Sequence, residues 1–216
     1  MTTLLRTTCF ILSAVVFSSC AVFQDAPLRL VRVKALADPA FRERNPRWEE
    51  ELRARIEAAS AYFDREFDIR LVTQSTAVWP EHERIPSTAA LMVKLKQEFP
   101  TQKHDGGFDL IVAFTAEVMS RYAPSGRPRV DRIGDCSHGL GNYVIATANK
   151  VFSYTGPQDV LDYDLAVLIH ELGHIFGAEH VQDTASIMRE NFDGGSVFDM
   201  KNRNVILQNR FCPFAK

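Results

Sequence analysis

Apolar and polar side chains recur with two different periods along the first third of the chain, and these periods predict alternating strands and helices. Apolar positions alternate with charged ones over residues 28–35, which is typical of a strand. From Trp48 to Phe67 the apolar side chains recur at helical spacing, so residues 47–67 are predicted to form a long amphipathic helix with a solvated charged face. A second strand is predicted over residues 69–78.

The middle of the chain continues this alternation. Ser87 can cap a helix that runs to about Glu98 and stops before Pro100. Residues 108–115 form a near-continuous apolar run, which indicates a central strand that is buried on both faces. Residues 119–135 are basic, contain proline and glycine, and show no clear period, so we interpret them as a loop.

Three more elements are predicted towards the C-terminus. Residues 139–146 indicate a strand whose glycines allow another backbone to approach closely. Asp159 or Asp162 can start a helix with an apolar packing face, and Ser196 or Asp199 can start a last helix.

The composition describes an ordinary globular protein. Its 216 residues are 46% hydrophobic and 24% charged, which fits one domain. The net charge of −2 gives no indication of a nucleic-acid partner, and we expect a monomer. No uncharged apolar run after the first two dozen residues is long enough to span a membrane.

The first 20 residues have the pattern of a secretory signal peptide. Arg6 stands in a short charged head, residues 9–17 form the apolar segment, and no acidic residue occurs before Asp25. The stretch from Phe17 to Cys20 resembles the lipobox of bacterial lipoproteins, which implies that Cys20 is lipidated and becomes the mature N-terminus.

Two other outcomes stay open for this segment: cleavage after Ala21 with plain secretion, and an uncleaved anchor. Each outcome places residues 21–216 outside the cytoplasm. With Cys20 lipidated, the protein would be a bacterial lipoprotein that a lipid anchor holds to the membrane, in the periplasm or on the cell surface.

The strongest chemical signal is the motif H-E-x-x-H-x-x-G-x-x-H, which runs from His170 to His180. On a helix, His170 and His174 stand one turn apart on one face, so both imidazoles can bind one metal ion. Gly177 can adopt the positive φ that ends a helix and turns His180 towards the same ion. Three histidines leave the fourth position of a zinc ion open for water, as a catalytic site requires, and Glu171 can act on that water as a general base.

This motif resembles that of the metzincin clan of zinc endopeptidases. In that clan a methionine-containing turn lies beneath the zinc, and Met188 follows His180 by eight residues, a spacing similar to that of matrixins. The resemblance implies that residues 139–146 form an antiparallel edge strand that binds the substrate backbone; a hairpin without a substrate role is the alternative. The implied substrate-binding residues are Gly139, Leu140, Gly141, Asn142 and Tyr143.

The implied fold is a mixed α/β, zincin-like catalytic domain over residues 21–216. It would contain a twisted, mostly parallel sheet with an antiparallel edge strand, a long zinc-binding helix, and a small C-terminal lobe with a terminal helix. The implied activity is hydrolysis of peptide bonds in peptides or proteins with one catalytic Zn²⁺. The alternatives are a zinc hydrolase of a non-protein, cell-wall amide and a binding lipoprotein without catalysis; the intact Glu171 argues against the latter.

The cysteines fit an oxidising compartment. Cys9 lies in the signal segment and Cys20 would carry lipid, which leaves Cys136 and Cys212 as an even pair. We expect a disulfide between these two residues.

Overall fold

Five strands form one sheet at the centre of the protein. The structure is a computed structural model that describes residues 28–80, 87–101, 107–116, 129–148, 162–190 and 195–215. In chain order the strands are β1 (Arg29–Ala37), β2 (Ile69–Val78), β3 (Leu110–Thr115), β4 (Arg129–Val130) and β5 (Tyr143–Thr147).

The order of the strands across the sheet is β2-β1-β3-β5-β4. β1 pairs in parallel with both β2 and β3, and β3 pairs in parallel with β5. β4 pairs with β5 in the antiparallel direction and forms one edge. The predicted mostly parallel sheet with an antiparallel edge strand is therefore confirmed.

Five helices accompany the sheet in the described part of the chain. They are α1 (Pro39–Arg44), α2 (Trp48–Phe67), α3 (Thr88–Glu98), α4 (Tyr163–Ile175) and α5 (Met200–Asn209). Within the described residues, none of these helices combines the length and the apolar character that a bilayer span needs.

The central strand β3 shows how the core is divided. Leu110, Val112 and Phe114 belong to the larger hydrophobic cluster, to which α2 and α4 contribute. Ile111 and Ala113 belong to a second cluster, to which α3 contributes. Because alternate residues of a strand point to opposite faces, a strand covered on both faces must be apolar throughout, as residues 108–115 indicated.

Capping side chains mark where three of these helices begin. The predicted cap Ser87 accepts a hydrogen bond from the Ala90 N–H at the start of α3. Asp199, rather than Ser196, caps α5 by accepting from the Asn202 N–H at 3.1 Å. Asp38 caps α1, a helix of six residues that is too short to show a period in the sequence.

The prediction that residues 139–146 form the antiparallel edge strand is wrong. β5 covers Tyr143–Thr147, runs parallel to β3, and lies inside the sheet between β3 and β4. The antiparallel edge strand is β4, within the segment that we interpreted as a loop. Two residues are too few to show an alternating pattern, so the sequence carries no signal for this strand.

Candidate metal centre

The helix α4 starts at Asp162 and runs through the core. The Asp162 side chain accepts hydrogen bonds from the N–H groups of Asp164 and Leu165, at 3.0 and 3.4 Å, which identifies it as the N-cap. Asp159, the other predicted start, lies outside the described residues. Every residue of α4 after Tyr163 is buried, so the motif is held by packing on all sides.

The end of α4 redirects the chain at Gly177, which has a φ of 96°. The Gly177 N–H donates to the His174 carbonyl and the Ala178 N–H to the Gly173 carbonyl, both at 3.0 Å, which is the Schellman pattern. A Cβ on Gly177 would also lie 2.6 Å from the Gly134 carbonyl oxygen. Both the dihedral angle and the lack of space therefore require glycine here.

This turn brings the three motif histidines together around one point. The Nε2 atoms of His170 and His174 are 3.1 Å apart, and each lies 3.2 Å from Nε2 of His180. Tetrahedral zinc with Zn–N bonds of about 2.0–2.1 Å separates two nitrogen ligands by about 3.3–3.4 Å. The ligand atoms of these three histidines are therefore spaced to hold one metal ion.

Backbone carbonyls fix the tautomers of the two helical histidines. Nδ1 of His170 lies 2.6 Å from the Ile187 oxygen, and Nδ1 of His174 lies 2.6 Å from the Ala178 oxygen. Since a carbonyl oxygen can only accept, each Nδ1 carries the proton, and the lone pair of each Nε2 points to the shared centre.

Burial keeps both rings neutral, which is the form that binds metals. Desolvation, with the neighbouring histidines, lowers the pKa of His170 to about 3. Desolvation is also the main reason why the pKa of His174 falls to about 4. Neither ring needs to lose a proton near neutral pH before it can ligate a cation.

Glu171 is buried beside the first of these histidines. Burial penalises its carboxylate and raises its pKa to about 8, while the positive charge of Arg129 acts in the opposite direction. Arg129 lies on the edge strand β4, so this strand brings a cation close to the carboxylate. The sequence analysis missed Arg129, because residues 119–135 show no pattern that indicates a strand.

The structure places Met188 directly against the metal-binding helix. Met188 is fully buried, and a Cβ built on Gly173 would lie 3.0 Å from its sulfur. Its carbonyl accepts a hydrogen bond of 3.1 Å from the Val181 N–H, next to His180. The turn that contains Met188 thus contacts α4 between the two helical histidines and also contacts the segment that carries the third.

The predicted substrate-binding residues from Gly139 to Tyr143 are all buried, and backbone groups of several of them are hydrogen-bonded within the protein. The Leu140 N–H donates to Pro213, and the Leu140 carbonyl accepts from Ala215. The N–H groups of Asn142 and Tyr143 both donate to Oδ1 of Asp131. These internal hydrogen bonds do not favour pairing of a substrate with this segment, and its role in substrate binding stays a prediction.

Two further predicted residues, which are not among the proposed ligands, lie close together. The structure joins Cys136 and Cys212 with their Cα atoms 5.0 Å apart, a separation that permits a disulfide. Cys20 and the predicted signal segment lie outside the described residues.

Comparisons with known proteins agree with this geometry. A family model described as Reprolysin_5, metallo-peptidase family M12, matches residues 28–205. The solved structure of archaemetzincin from Methanopyrus kandleri superposes with a TM-score of 0.53 at 17% identity, over 83% of this chain and 94% of that chain. At this identity the likeness concerns the fold alone. No curated protein matches the chain significantly by sequence.

Proposed function

The chain belongs to the metallo-peptidase family M12, and from this premise we propose that it is a zinc endopeptidase of the metzincin type, with Glu171 as general base. The observation that carries the proposal is the arrangement of three Nε2 atoms within 3.1–3.2 Å of one another beside a buried glutamate. The interval of eight residues from His180 to Met188 is similar to that of matrixins, and the subfamily within the metzincin clan stays open.

In this proposal the protein supplies ligands and a proton carrier. His170, His174 and His180 would hold one zinc ion through Nε2. Zinc in such a site supplies Lewis acidity, which acidifies water and polarises the scissile carbonyl. Glu171 would take a proton from the attacking water and deliver it to the nitrogen of the leaving amine, so that one residue serves both proton steps.

We propose that the substrate lies in an extended conformation along β4. This strand is the last of the sheet, and in the described part of the chain no other strand pairs with its outer edge. Val130 packs against the hydrophobic cluster that contains Leu172 of α4, and the Gly134 N–H donates to the His174 carbonyl at 2.9 Å. β4 and the segment after it are thus held against α4, the helix that carries the site. A substrate strand added to the outer edge of β4 would therefore present its peptide bonds near the proposed ligands.

We also propose that the protein acts outside the cytoplasm as a monomeric, bacterial membrane-anchored lipoprotein. The support is the signal-like pattern of residues 1–20, the lipobox-like stretch before Cys20, and the paired Cys136 and Cys212, which suit an oxidising compartment.

Cleavage of a diverse peptide library by the purified mature protein tests the proposed activity. We expect internal peptide bonds to be cut, cleavage to stop when a chelator removes the metal, and Zn²⁺ to restore it. Wall-derived amides are assayed in parallel. Hydrolysis of these amides without any peptide cleavage, or zinc binding without turnover of either substrate, would contradict the proposal.

A further inference from the structure

The third metal ligand stands on a segment without regular secondary structure. After the turn at Gly177, residues 178–180 belong to no helix or strand, and the side chain of His180 is exposed whereas those of His170 and His174 are buried. Besides the turn at Gly177, contacts of this segment with other elements therefore help to set the position of His180 relative to the other two ligands.

Asn202 of α5 contacts the backbone of this segment. Its Oδ1 accepts a hydrogen bond from the Glu179 N–H, and its Nδ2 donates to the Glu179 carbonyl, both at 2.9 Å. The side chain thus binds the backbone of the residue before His180 at two points, as a neighbouring strand would. Asn202 is only 1% exposed, so water does not compete for these bonds.

The same amide is linked to the methionine turn. Asn202 Nδ2 also donates to Oδ2 of Asp199 at 2.8 Å, and this oxygen accepts a second bond of 2.8 Å from the Ser186 hydroxyl. The Ser186 oxygen in turn accepts from the Met188 N–H at 3.1 Å. Ser186 is 1% exposed, so the connection is buried at both ends.

The far end of this connection supports the first metal ligand. Ile187, between Ser186 and Met188, provides the carbonyl that accepts from Nδ1 of His170 at 2.6 Å. The hydrogen-bonded chain of Asn202, Asp199 and Ser186 therefore joins the backbone beside His180 to the turn that orients His170.

We propose that Asn202, Asp199 and Ser186 are positioning residues that set His180 against His170, so that zinc affinity depends on helix α5. The inference rests on the proposed zinc binding and concerns the ligands rather than the hydrolytic step. Partners that orient metal ligands typically change metal affinity by about 10–100-fold when they are replaced. Truncation of Asn202 would also leave the N–H and carbonyl of Glu179 without these partners.

The test is the zinc dissociation constant of the mature protein and its variants, measured by competition with a chromogenic chelator, beside the melting temperature of each metal-free protein. Asn202→Ala should weaken zinc binding by about 10–100-fold. Ser186→Ala removes the hydrogen bond from Ser186 to Asp199 but leaves both bonds between Asn202 and Glu179. It should therefore weaken zinc binding by a smaller factor.

Two controls on the same helix separate positioning from general stability. Asn204 is exposed, so Asn204→Ala should change neither quantity. Ile206 is fully buried in the core, so Ile206→Val should lower the melting temperature while the zinc dissociation constant stays near the parent's. The absorption spectrum of the Co²⁺-loaded protein should change for Asn202→Ala and not for Ile206→Val.

The inference is overturned if Asn202→Ala binds zinc as tightly as the parent. It is also overturned if Ile206→Val, at an equal loss of melting temperature, loses as much zinc affinity as Asn202→Ala does. If Asn202→Ala does not fold, an unchanged dissociation constant for Ser186→Ala overturns it instead. Because no substrate is involved, a parent that binds zinc but cleaves no peptide would contradict the proposed function and leave this inference standing.

Discussion

At the scale of single residues, Glu171 and the histidines beside it are proposed to have separate tasks that substitution can distinguish. Glu171→Ala removes the proposed base but none of the nitrogen ligands, so zinc content should stay and turnover should fall by about 10²–10⁴-fold or more. His174→Ala removes a ligand, so metal affinity and activity should fall together. Zinc content and peptide cleavage are measured for both variants beside the parent. Near-parental cleavage by Glu171→Ala would show that another group acts as the base.

Gly177 offers a second test at this scale, because the structure requires glycine there for two reasons. Alanine in the left-handed region costs about 1–2 kcal/mol, and its Cβ would press on the Gly134 carbonyl. We expect Gly177→Ala to lower the free energy of unfolding by at least about 2 kcal/mol and to weaken zinc binding, because the turn places His180. Urea unfolding and zinc titration measure both effects.

Gly107→Ala is the matched control for this substitution. A Cβ at Gly107 meets nothing within 4 Å, so the stability should change by no more than about 0.5 kcal/mol. Equal effects of the two substitutions would contradict the role of the turn.

The sequence predicted the site residues that lie close together along the chain. It missed the residues from other elements that contact or influence them. His170 and His174 are one helical turn apart, and Gly177 marks the turn, so local geometry was sufficient to group them. Asn202 follows Glu179 by 23 residues, and only the packing of α5 brings its amide to that backbone. The electrostatic effect of Arg129 on Glu171 likewise depends on the pairing of β4 with β5.

At the scale of elements, the length of each helix or strand decided whether the sequence could predict it. The strand over 69–78 and the long helix α2 contain enough residues to show a period, and the structure confirms both within one residue of the predicted limits. α1 and β4 have six and two residues, so no period exists to be recognised. The sequence prediction assigned the edge strand to residues 139–146, which instead contain most of the internal strand β5. The composition of an apolar segment does not show whether it lies inside a sheet or at its edge.

The proposed pairing of substrate with β4 predicts an uneven response to backbone modification. In an antiparallel pair, alternate residues of the added strand use their N–H groups. A good peptide substrate is N-methylated at one amide at a time. Methylation at a pairing position should lower kcat/KM by about 2- to 12-fold for the lost hydrogen bond, and methylation at the next residue should have little effect.

The matched control for this series is the same peptide methylated several residues from the scissile bond. Equal losses at neighbouring amides around that bond would show that the backbone is not recognised as a strand, and the position of the substrate along β4 would have to be abandoned.

At the scale of the whole molecule, the proposed lipid anchor at Cys20 can be tested by where the protein is found. If Cys20 is lipidated, Cys20→Ala should move the protein from the membrane fraction to the soluble one or leave an unprocessed precursor. Fractionation and the mass of the mature N-terminus measure this. Processing to a soluble form in both the parent and the variant would favour cleavage after Ala21 instead.

The C-terminal tail is fastened to the metal-binding helix through the segment from Gly134 to Leu140. The Gly134 N–H donates to the His174 carbonyl, and Leu140 exchanges hydrogen bonds with Pro213 and Ala215 at 2.9 Å each. Cys136 lies in this segment and Cys212 in the tail, 76 residues apart in sequence. A disulfide here would restrict the unfolded chain and hold the tail against the segment that contacts α4.

We therefore expect the double variant Cys136→Ser, Cys212→Ser to lose about 2–4 kcal/mol of unfolding free energy, because its unfolded chain is no longer restricted. Protein that starts at residue 24 is suitable, since these are its only cysteines. Urea unfolding measures the loss, and the parent treated with a reductant should match the double variant. Thiol counting on denatured, unreduced parent from an oxidising preparation should find neither thiol free; two reactive thiols per chain would show that the bond does not form.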